Sequence, residues 1–263
     1  MQEGTCKLCL KTAILQDSHY VPRGMYKRIR DGKRKNPNPI IITRKITSST
    51  SRQPTDYVFC AECEQRFNQG GETWIMNSVA HGRRFPLLER LEVAVPEHTL
   101  SEAVTYSGRA TGIDTGKLGY FALSMVWRGA VHEWPLPFGG KSVQLDLGSM
   151  EEPIRQYLMG ESPFPQDAAV LVHVCDDRIS QESILEPGKR ADNDTSYEFL
   201  TLGVHFFVFL GQAVTPDIRN MCCVTSNDKV VFRRNCRDRL MQHYGDLARA
   251  SKRSRMVESE WPD

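Results

Sequence analysis

The sequence predicts a mixed fold of the α+β class, with helices and strands along one chain. Apolar residues recur at helical spacing in residues 117–133, whereas residues 168–175 form a β-branched apolar run typical of a buried strand. Two identical Cys-x-x-Cys motifs also separate a cysteine-bearing first segment from a more apolar remainder. We therefore expect two domains, residues 1–80 and a larger α+β domain of residues 81–263.

Apolar periodicity defines the predicted elements of the second segment. A helix at 150–159 begins after Ser149, a residue type that caps helices, and carries two acids in its first turn. The last residues, 251–263, are charged and are expected to fray. In chain order, we predict helices at 87–95, 117–133, 150–159 and 237–250, and strands at 168–175, 197–210 and 229–233.

Charge and composition exclude several protein classes. The 263 residues are 40% hydrophobic and 25% charged, with a net charge of +2, which excludes a uniformly basic, histone-like binder. No apolar run approaches the roughly 18 residues that cross a bilayer, and the first residues lack the features of a signal peptide. These features predict a cytoplasmic protein with no membrane partner.

The largest local charge imbalance lies in residues 20–52, which hold ten basic residues and one acid. That local charge of +9 leaves −7 for the rest of a chain whose total is +2. Such a segment can neutralise phosphates, so we expect it to bind nucleic acid. The alternative is a solvated loop without a binding role, because residues 31–39 are rich in turn-forming residues. The expected nucleic-acid contacts are Arg23, Lys27, Arg28, Arg30, Lys33, Arg34 and Lys35.

Four of the eight cysteines form the two spaced pairs, Cys6 with Cys9 and Cys60 with Cys63. Tetrahedral Zn²⁺ accepts four thiolates, and a Cys-x-x-Cys turn places two sulfurs on one side of a knuckle. The spacing predicts a closed, structural zinc site, with redox-active or incidental cysteines as the alternative. The other cysteines are interpreted as small buried hydrophobic residues; they are Cys175, Cys222, Cys223 and Cys236.

A histidine and a carboxylate lie next to these cysteine pairs. His19 follows Asp17 and Ser18 between the two pairs, and Glu64 directly follows Cys63. If a helix begins at Cys63, Glu64 lies in its first turn, where a hairpin carrying His19 could face it. The glycines at positions 70 and 71 predict that this helix breaks after two turns.

The order of these motifs resembles the four-cysteine zinc-ribbon branch of the HNH, or ββα-metal, endonucleases. The resemblance covers residues 1–75 and implies a ββα-metal zinc-ribbon fold for the first domain. The residues that carry it are Cys6 and Cys9, Ser18-His19-Tyr20-Val21-Pro22, Cys60 and Cys63, Glu64-Gln65-Arg66-Phe67, and Glu72.

The resemblance implies a catalytic role for residues of the first domain. His19 would act as the general base toward water, and Glu64 would hold a catalytic Mg²⁺ or Mn²⁺. Ser18 stands where the family often has an aspartate ligand, so Asp17, Asn68 or Glu72 would complete the site. The implied activity is hydrolysis of phosphodiester bonds in nucleic acid, with DNA as the expected substrate and anti-phage defence as a setting by analogy.

Two other functions remain open from the sequence. The first is a non-catalytic zinc-ribbon module that binds nucleic acid or a partner protein. The second is a redox-responsive protein whose cysteine pairs release zinc. In each case residues 81–263 would regulate, sense, form a homo-oligomer or bind a regulatory protein partner.

Overall fold

A computed structural model describes residues 2–30, 37–42, 46–190 and 195–253, and these combine helices and strands, which confirms the predicted α+β class. Its strands form two three-stranded sheets and one seven-stranded sheet. The strands are β1 (Gln2–Thr5), β2 (Thr12–His19), β3 (Ile40–Ile42), β4 (Ile46–Ser49), β5 (Thr55–Cys60), β6 (His98–Thr99), β7 (Ala103–Ser107), β8 (Ala168–Cys175), β9 (Ile184–Lys189), β10 (Ser196–Thr201), β11 (Val204–Leu210), β12 (Val230–Arg234) and β13 (Lys252–Arg253).

The helices lie between these strands. Short 3₁₀ turns occur at Gly148–Met150 and Gly211–Ala213, and a π-helical segment occurs at Asn68–Glu72. The α-helices are α1 (Arg23–Arg28), α2 (Ala61–Phe67), α3 (Thr73–Ser78), α4 (Pro86–Glu92), α5 (Thr115–Val131), α6 (Glu151–Met159), α7 (Arg178–Gln181), α8 (Pro216–Asn220) and α9 (Arg237–Ala250).

The predicted elements of the second segment are present, with two differences. Ser149 does not cap α6, because a 3₁₀ turn leads directly into that helix and places its cap at Met150. The single strand predicted at 197–210 is two strands, since Leu202 and Gly203 take positive φ values of 47° and 91° and turn the chain into a hairpin. Of the predicted tail, residues 254–263 lie outside the described residues.

The seven-stranded sheet has the order β6-β7-β12-β8-β11-β10-β9 and is antiparallel except for the parallel pair β12 and β8. Helix α5 packs on one face, where the ring of Phe121 lies 5.9 Å from that of Phe199 and 5.6 Å from that of Phe206. Leu171 and Phe207 belong to a separate apolar cluster on the other face. Because both faces are covered, β8 is apolar at nearly every position.

The first segment forms a β-β-α unit from elements that are distant in sequence. Strand β2 pairs antiparallel with β1 on one side and with β5 on the other. Helix α2 begins at the residue after β5. This order brings the turn between β1 and β2 next to the junction of β5 and α2, where the two cysteine pairs lie.

One buried apolar cluster includes residues of both predicted domains, such as Leu8 in the first and Trp127 in the second. Polar contacts cross the same boundary, since Arg155 donates to the Leu8 carbonyl at 2.9 Å and Arg66 donates to the Met159 carbonyl at 2.8 Å. The division near residue 80 stays a prediction, and the packing joins both segments through a shared core.

The expectation that Gly70 and Gly71 break the helix after α2 is wrong. The chain passes through the π-helical segment and continues into α3. The glycines instead allow α5 to approach, because the Tyr120 ring covers Gly70 and the Lys117 ammonium donates to the Gln69 carbonyl at 2.6 Å. Tertiary packing therefore outweighs the low helix propensity of glycine.

We predict that Gly71→Ala lowers the free energy of unfolding by about 1–3 kcal/mol, although alanine raises intrinsic helix propensity by about 1 kcal/mol. An added Cβ would lie 2.9 Å from both the Lys117 carbonyl oxygen and the Phe121 Cβ. Urea unfolding measures the change. Gly188→Ala is the control, because its added Cβ would lie 4.0 Å from the Glu186 carbonyl oxygen, an ordinary contact distance. Equal stability of the two variants would contradict the close approach of α5.

Candidate metal centre and adjoining groove

Four cysteine sulfurs converge where β1, β2, β5 and α2 meet. The Sγ atoms of Cys6, Cys9, Cys60 and Cys63 all lie within 4.8 Å of one another, and those of Cys9 and Cys60 are 3.9 Å apart. Sulfurs arranged tetrahedrally around Zn²⁺ at about 2.3 Å are separated by about 3.8 Å. The four thiols could therefore hold a metal ion such as zinc.

The local backbone positions these thiols. Cys6 and Cys9 lie in the turn after β1, which closes through a 2.9 Å hydrogen bond from the Leu10 amide to the Cys6 carbonyl. The Cys60 amide donates to the Cys6 sulfur at 3.4 Å, and a hydrogen bond from the Cys63 thiol lowers the pKa of Cys6 to about 4. Three of the four cysteines are buried, so the centre is closed and suits a structural metal.

His19 ends β2 at the edge of an open groove. The groove has a volume of about 550 Å³ and is lined from both segments of the chain. Partial burial lowers the pKa of His19, against the opposing effect of the Asp17 carboxylate. A neutral imidazole at pH 7 can accept a proton. The residues around His19 in the groove are Asp17, Arg23, Ser51, Arg52, Gln53, Thr55, Pro135, Leu136 and Pro137.

Ser18 of β2 and Glu64 of α2 interact on the inner side of β2. Ser18 is buried, and its hydroxyl accepts a 3.2 Å hydrogen bond from the Phe59 amide. Glu64 is half-buried, and its Oε1 is a buried atom without a hydrogen-bond partner among the described residues. Burial raises the pKa of Glu64, while the Arg128 guanidinium and the Ser18 hydroxyl lower it.

Arg128, in the last turn of α5, is buried and joins several parts of the site. Its guanidinium forms an ion pair with Glu72 and donates to the carbonyls of His19 and Tyr20, each at 3.4 Å. It also lies over the Phe67 ring at 4.1 Å from the centroid. A single side chain of the second segment therefore links the end of β2 to the helical run that follows β5.

The structure separates the four predicted catalytic residues into two pairs. Asp17 and His19 line the groove, whereas Ser18 faces inward and has an electrostatic interaction with Glu64. This separation follows from the alternation of side chains along a strand. Of the further candidates, the Glu72 carboxylate is paired with Arg128, and Asn68 is exposed.

The predicted phosphate contacts have different environments. Arg23 lines the groove, Lys27 and Arg30 are exposed, and Arg28 is partly buried, which lowers its pKa. The remaining predicted contacts, Lys33, Arg34 and Lys35, lie outside the described residues.

The sequence interpretation missed three features of the site. Arg52 was counted in the basic segment but not assigned to binding, and it lines the groove. Arg128 lies in the helix predicted at 117–133, but no motif indicates its ion pair with Glu72 or its contact to the His19 carbonyl. The wall formed by residues 135–137 has no motif, so only tertiary structure places it there.

The chain matches no protein-family model, no curated protein and no solved structure in the comparisons made with it. None of its described helices is long and apolar enough to serve as a membrane span.

We predict that the purified protein contains one zinc ion per chain, measured by elemental mass spectrometry. Cys63→Ser should lose the metal and several kcal/mol of stability, because structural zinc contributes on the order of 10 kcal/mol in small zinc domains. Cys222→Ser is the matched control, since Cys222 is equally buried but lies outside the cluster. Metal-free wild-type protein that remains folded would contradict the zinc assignment.

We predict that Arg128→Met lowers the free energy of unfolding by about 3–5 kcal/mol, because it leaves the buried Glu72 carboxylate unpaired. Adding Glu72→Gln should recover part of this loss and give a coupling energy above about 1 kcal/mol in a double-mutant cycle. The exposed pair of Arg178 and Glu182 is the control, with an expected coupling below about 0.5 kcal/mol. If the changes in the free energy of unfolding for the substitutions at Glu72 and Arg128 simply add, the two residues do not stabilise the fold as an ion pair.

Proposed function

We propose that this protein is a metal-dependent endonuclease that hydrolyses phosphodiester bonds in nucleic acid, with DNA as the first substrate to test. The observation that carries the proposal is the buried Glu64 oxygen, unpartnered among the described residues, on the helix that follows the cysteine cluster. Leaving a buried acceptor unpaired costs about 1–3 kcal/mol. A cation that binds Glu64 would offset this cost.

The charges around Glu64 favour a divalent cation. The carboxylate and guanidinium groups described next to Glu64 are those of Glu72 and Arg128, and these two pair with each other. The negative charge of Glu64 therefore has no ion-pair partner of its own there. Among the described residues, the cysteines are the one converging set of three or more metal-ligating side chains. Glu64 suits a cation such as Mg²⁺, which is commonly held by one or two carboxylates, waters and substrate phosphates.

His19 would act as the general base of the reaction. Its lowered pKa favours the neutral form, in which an imidazole nitrogen accepts a proton from the attacking water. The hydrogen bonds from Arg128 to the carbonyls of His19 and Tyr20 hold the end of β2 in place. Glu64 does not line the groove that holds His19, so a divalent cation at Glu64 would stabilise the charge on the phosphate and on the leaving 3′ oxygen only where the substrate also reaches the inner side of β2.

The groove would bind the substrate backbone. Arg23 and Arg52 lie in the same groove as His19, where their guanidinium groups can pair with phosphates. The wall at residues 135–137 carries no charge, and on the rest of the groove the two arginines outnumber the one carboxylate, that of Asp17. Binding of this kind depends on the backbone and weakens as salt increases.

We predict that the 263-residue chain cleaves plasmid DNA in the presence of Mg²⁺ or Mn²⁺, and that His19→Ala lowers the cleavage rate by about 10²–10⁴-fold. Glu64→Gln should also abolish metal-dependent cleavage, because the amide is a much weaker ligand for a divalent cation. Gel electrophoresis of supercoiled plasmid, linear single-stranded DNA and RNA measures the rates and identifies the substrate.

Matched controls separate loss of chemistry from loss of structure. Glu62→Gln changes an exposed carboxylate in the same helical turn, and His98→Ala changes an exposed histidine in β6. Both should cleave like the wild type, with unchanged zinc content. Undiminished cleavage by His19→Ala would rule out this mechanism. Salt-sensitive binding without cleavage of any of the substrates would favour the non-catalytic module.

A further inference from the structure

Cys175 and Cys236 form a close pair of thiols. Neither residue lines the groove that contains His19, and the proposed function does not use them. Their sulfurs are 2.9 Å apart, although the residues are separated by 61 positions. Cys175 ends β8, and Cys236 immediately precedes α9. Both side chains are buried, with exposures of 0% and 6%.

The backbone around this pair is held from both sides. Cys175 pairs with Arg234 in the parallel ladder between β8 and β12, two residues before Cys236. The Asp177 carboxylate accepts hydrogen bonds from the Cys236 amide at 3.0 Å and from the Ser180 amide at 2.8 Å. A disulfide requires sulfurs at about 2.05 Å, so the remaining approach is about 0.9 Å. Small side-chain rotations can provide this shift.

The surroundings of Cys236 favour its thiolate, which is the reactive form. A hydrogen bond from the Cys175 thiol, with a further one to His205, lowers the pKa of Cys236 to about 6, against the opposing effects of burial and of the Asp177 carboxylate. His205 is itself paired with the Glu198 carboxylate at 3.2 Å. The position of Cys236 at the start of the 14-residue α9 adds the favourable field of a helix N-terminus.

A second groove lies beside the pair. It has a volume of about 700 Å³ and is lined by Arg234 and Asn235, which precede Cys236, and by Asp238 and Arg239, which follow it. Cys236 does not itself line this groove, but it lies in sequence between residues that do, and the residue is 6% exposed, so the route for an oxidant must be a narrow one. Hydrogen peroxide is close to water in size and is suited to this approach.

We propose that Cys175 and Cys236 are an oxidation site that forms a reversible intramolecular disulfide with hydrogen peroxide. The Cys236 thiolate attacks one peroxide oxygen, the O–O bond breaks, and the departing hydroxide takes up a proton to form water. The Cys236 sulfenic acid is then attacked by the Cys175 sulfur, and its hydroxyl leaves as a second water with the Cys175 proton. Two thiols are oxidised and one peroxide is reduced to two waters; an external dithiol then reduces the disulfide to two thiols and is itself oxidised.

The test is limited peroxide treatment of the zinc-loaded full chain, followed by alkylation and peptide mass spectrometry without reduction. We expect one linked peptide pair containing residues 175 and 236, lighter than the two reduced peptides by two hydrogens and released by dithiothreitol. The crosslink should also raise the unfolding temperature under non-reducing conditions, because it constrains the unfolded chain.

Two variants, each with one of these cysteines replaced, and a control variant distinguish oxidation at this site from general oxidation of cysteines. Cys175→Ser should accumulate a sulfenic acid at Cys236 that dimedone traps, while Cys236→Ser should leave Cys175 reduced. Cys222→Ser should form the same linked pair as the wild type. Zinc release is followed in parallel.

The proposal would be overturned if the wild-type protein stays folded during peroxide treatment and both Cys175 and Cys236 are afterwards still alkylated as free thiols. Oxidation of the zinc cysteines before the 175–236 pair would also overturn it. Neither measurement depends on nuclease activity, so this inference and the proposed function fail independently.

Discussion

The buried guanidinium of Arg128 is the interaction on which the geometry of the candidate site depends. It pairs with Glu72 and donates to the carbonyls of His19 and Tyr20. A buried ion pair is not in itself strong evidence of stability, because desolvation opposes the attraction between the charges. Its structural effect is directional: it holds the strand end that carries His19 against the helical run that contains Glu64 and Glu72.

The close packing of α5 makes this interaction possible. At Gly71 a Cβ would lie 2.9 Å from atoms of Lys117 and Phe121 in α5, so a larger residue would move α5 away from the helix of the first segment. The cysteine cluster holds the other end of the same helix next to β1 and β2. Helix α2 and its continuation are therefore constrained at both ends, and Glu64 lies between the two constraints.

Much of the fold was predictable because its signals are local. The apolar period identified α5, and the boundaries of α9 match the predicted helix at 237–250. The errors occurred where tertiary contacts oppose local preference, as in the helix that continues through Gly70 and Gly71. The turn at Gly203 was missed because the apolar pattern continues through both strands of the hairpin, while only the positive φ values reverse the chain.

By itself, the sequence determined the four-thiol cluster, the α+β class and the presence of a histidine beside a basic segment. These are consequences of residue type and short spacing. Only the tertiary structure decided that Asp17 and His19 face a groove while Ser18 lies inward, that Arg128 pairs with Glu72, and that Cys175 meets Cys236. The physical reason is that these relations join residues far apart in the chain, such as Asp17 and Pro137 in the groove, and packing and strand register bring them together.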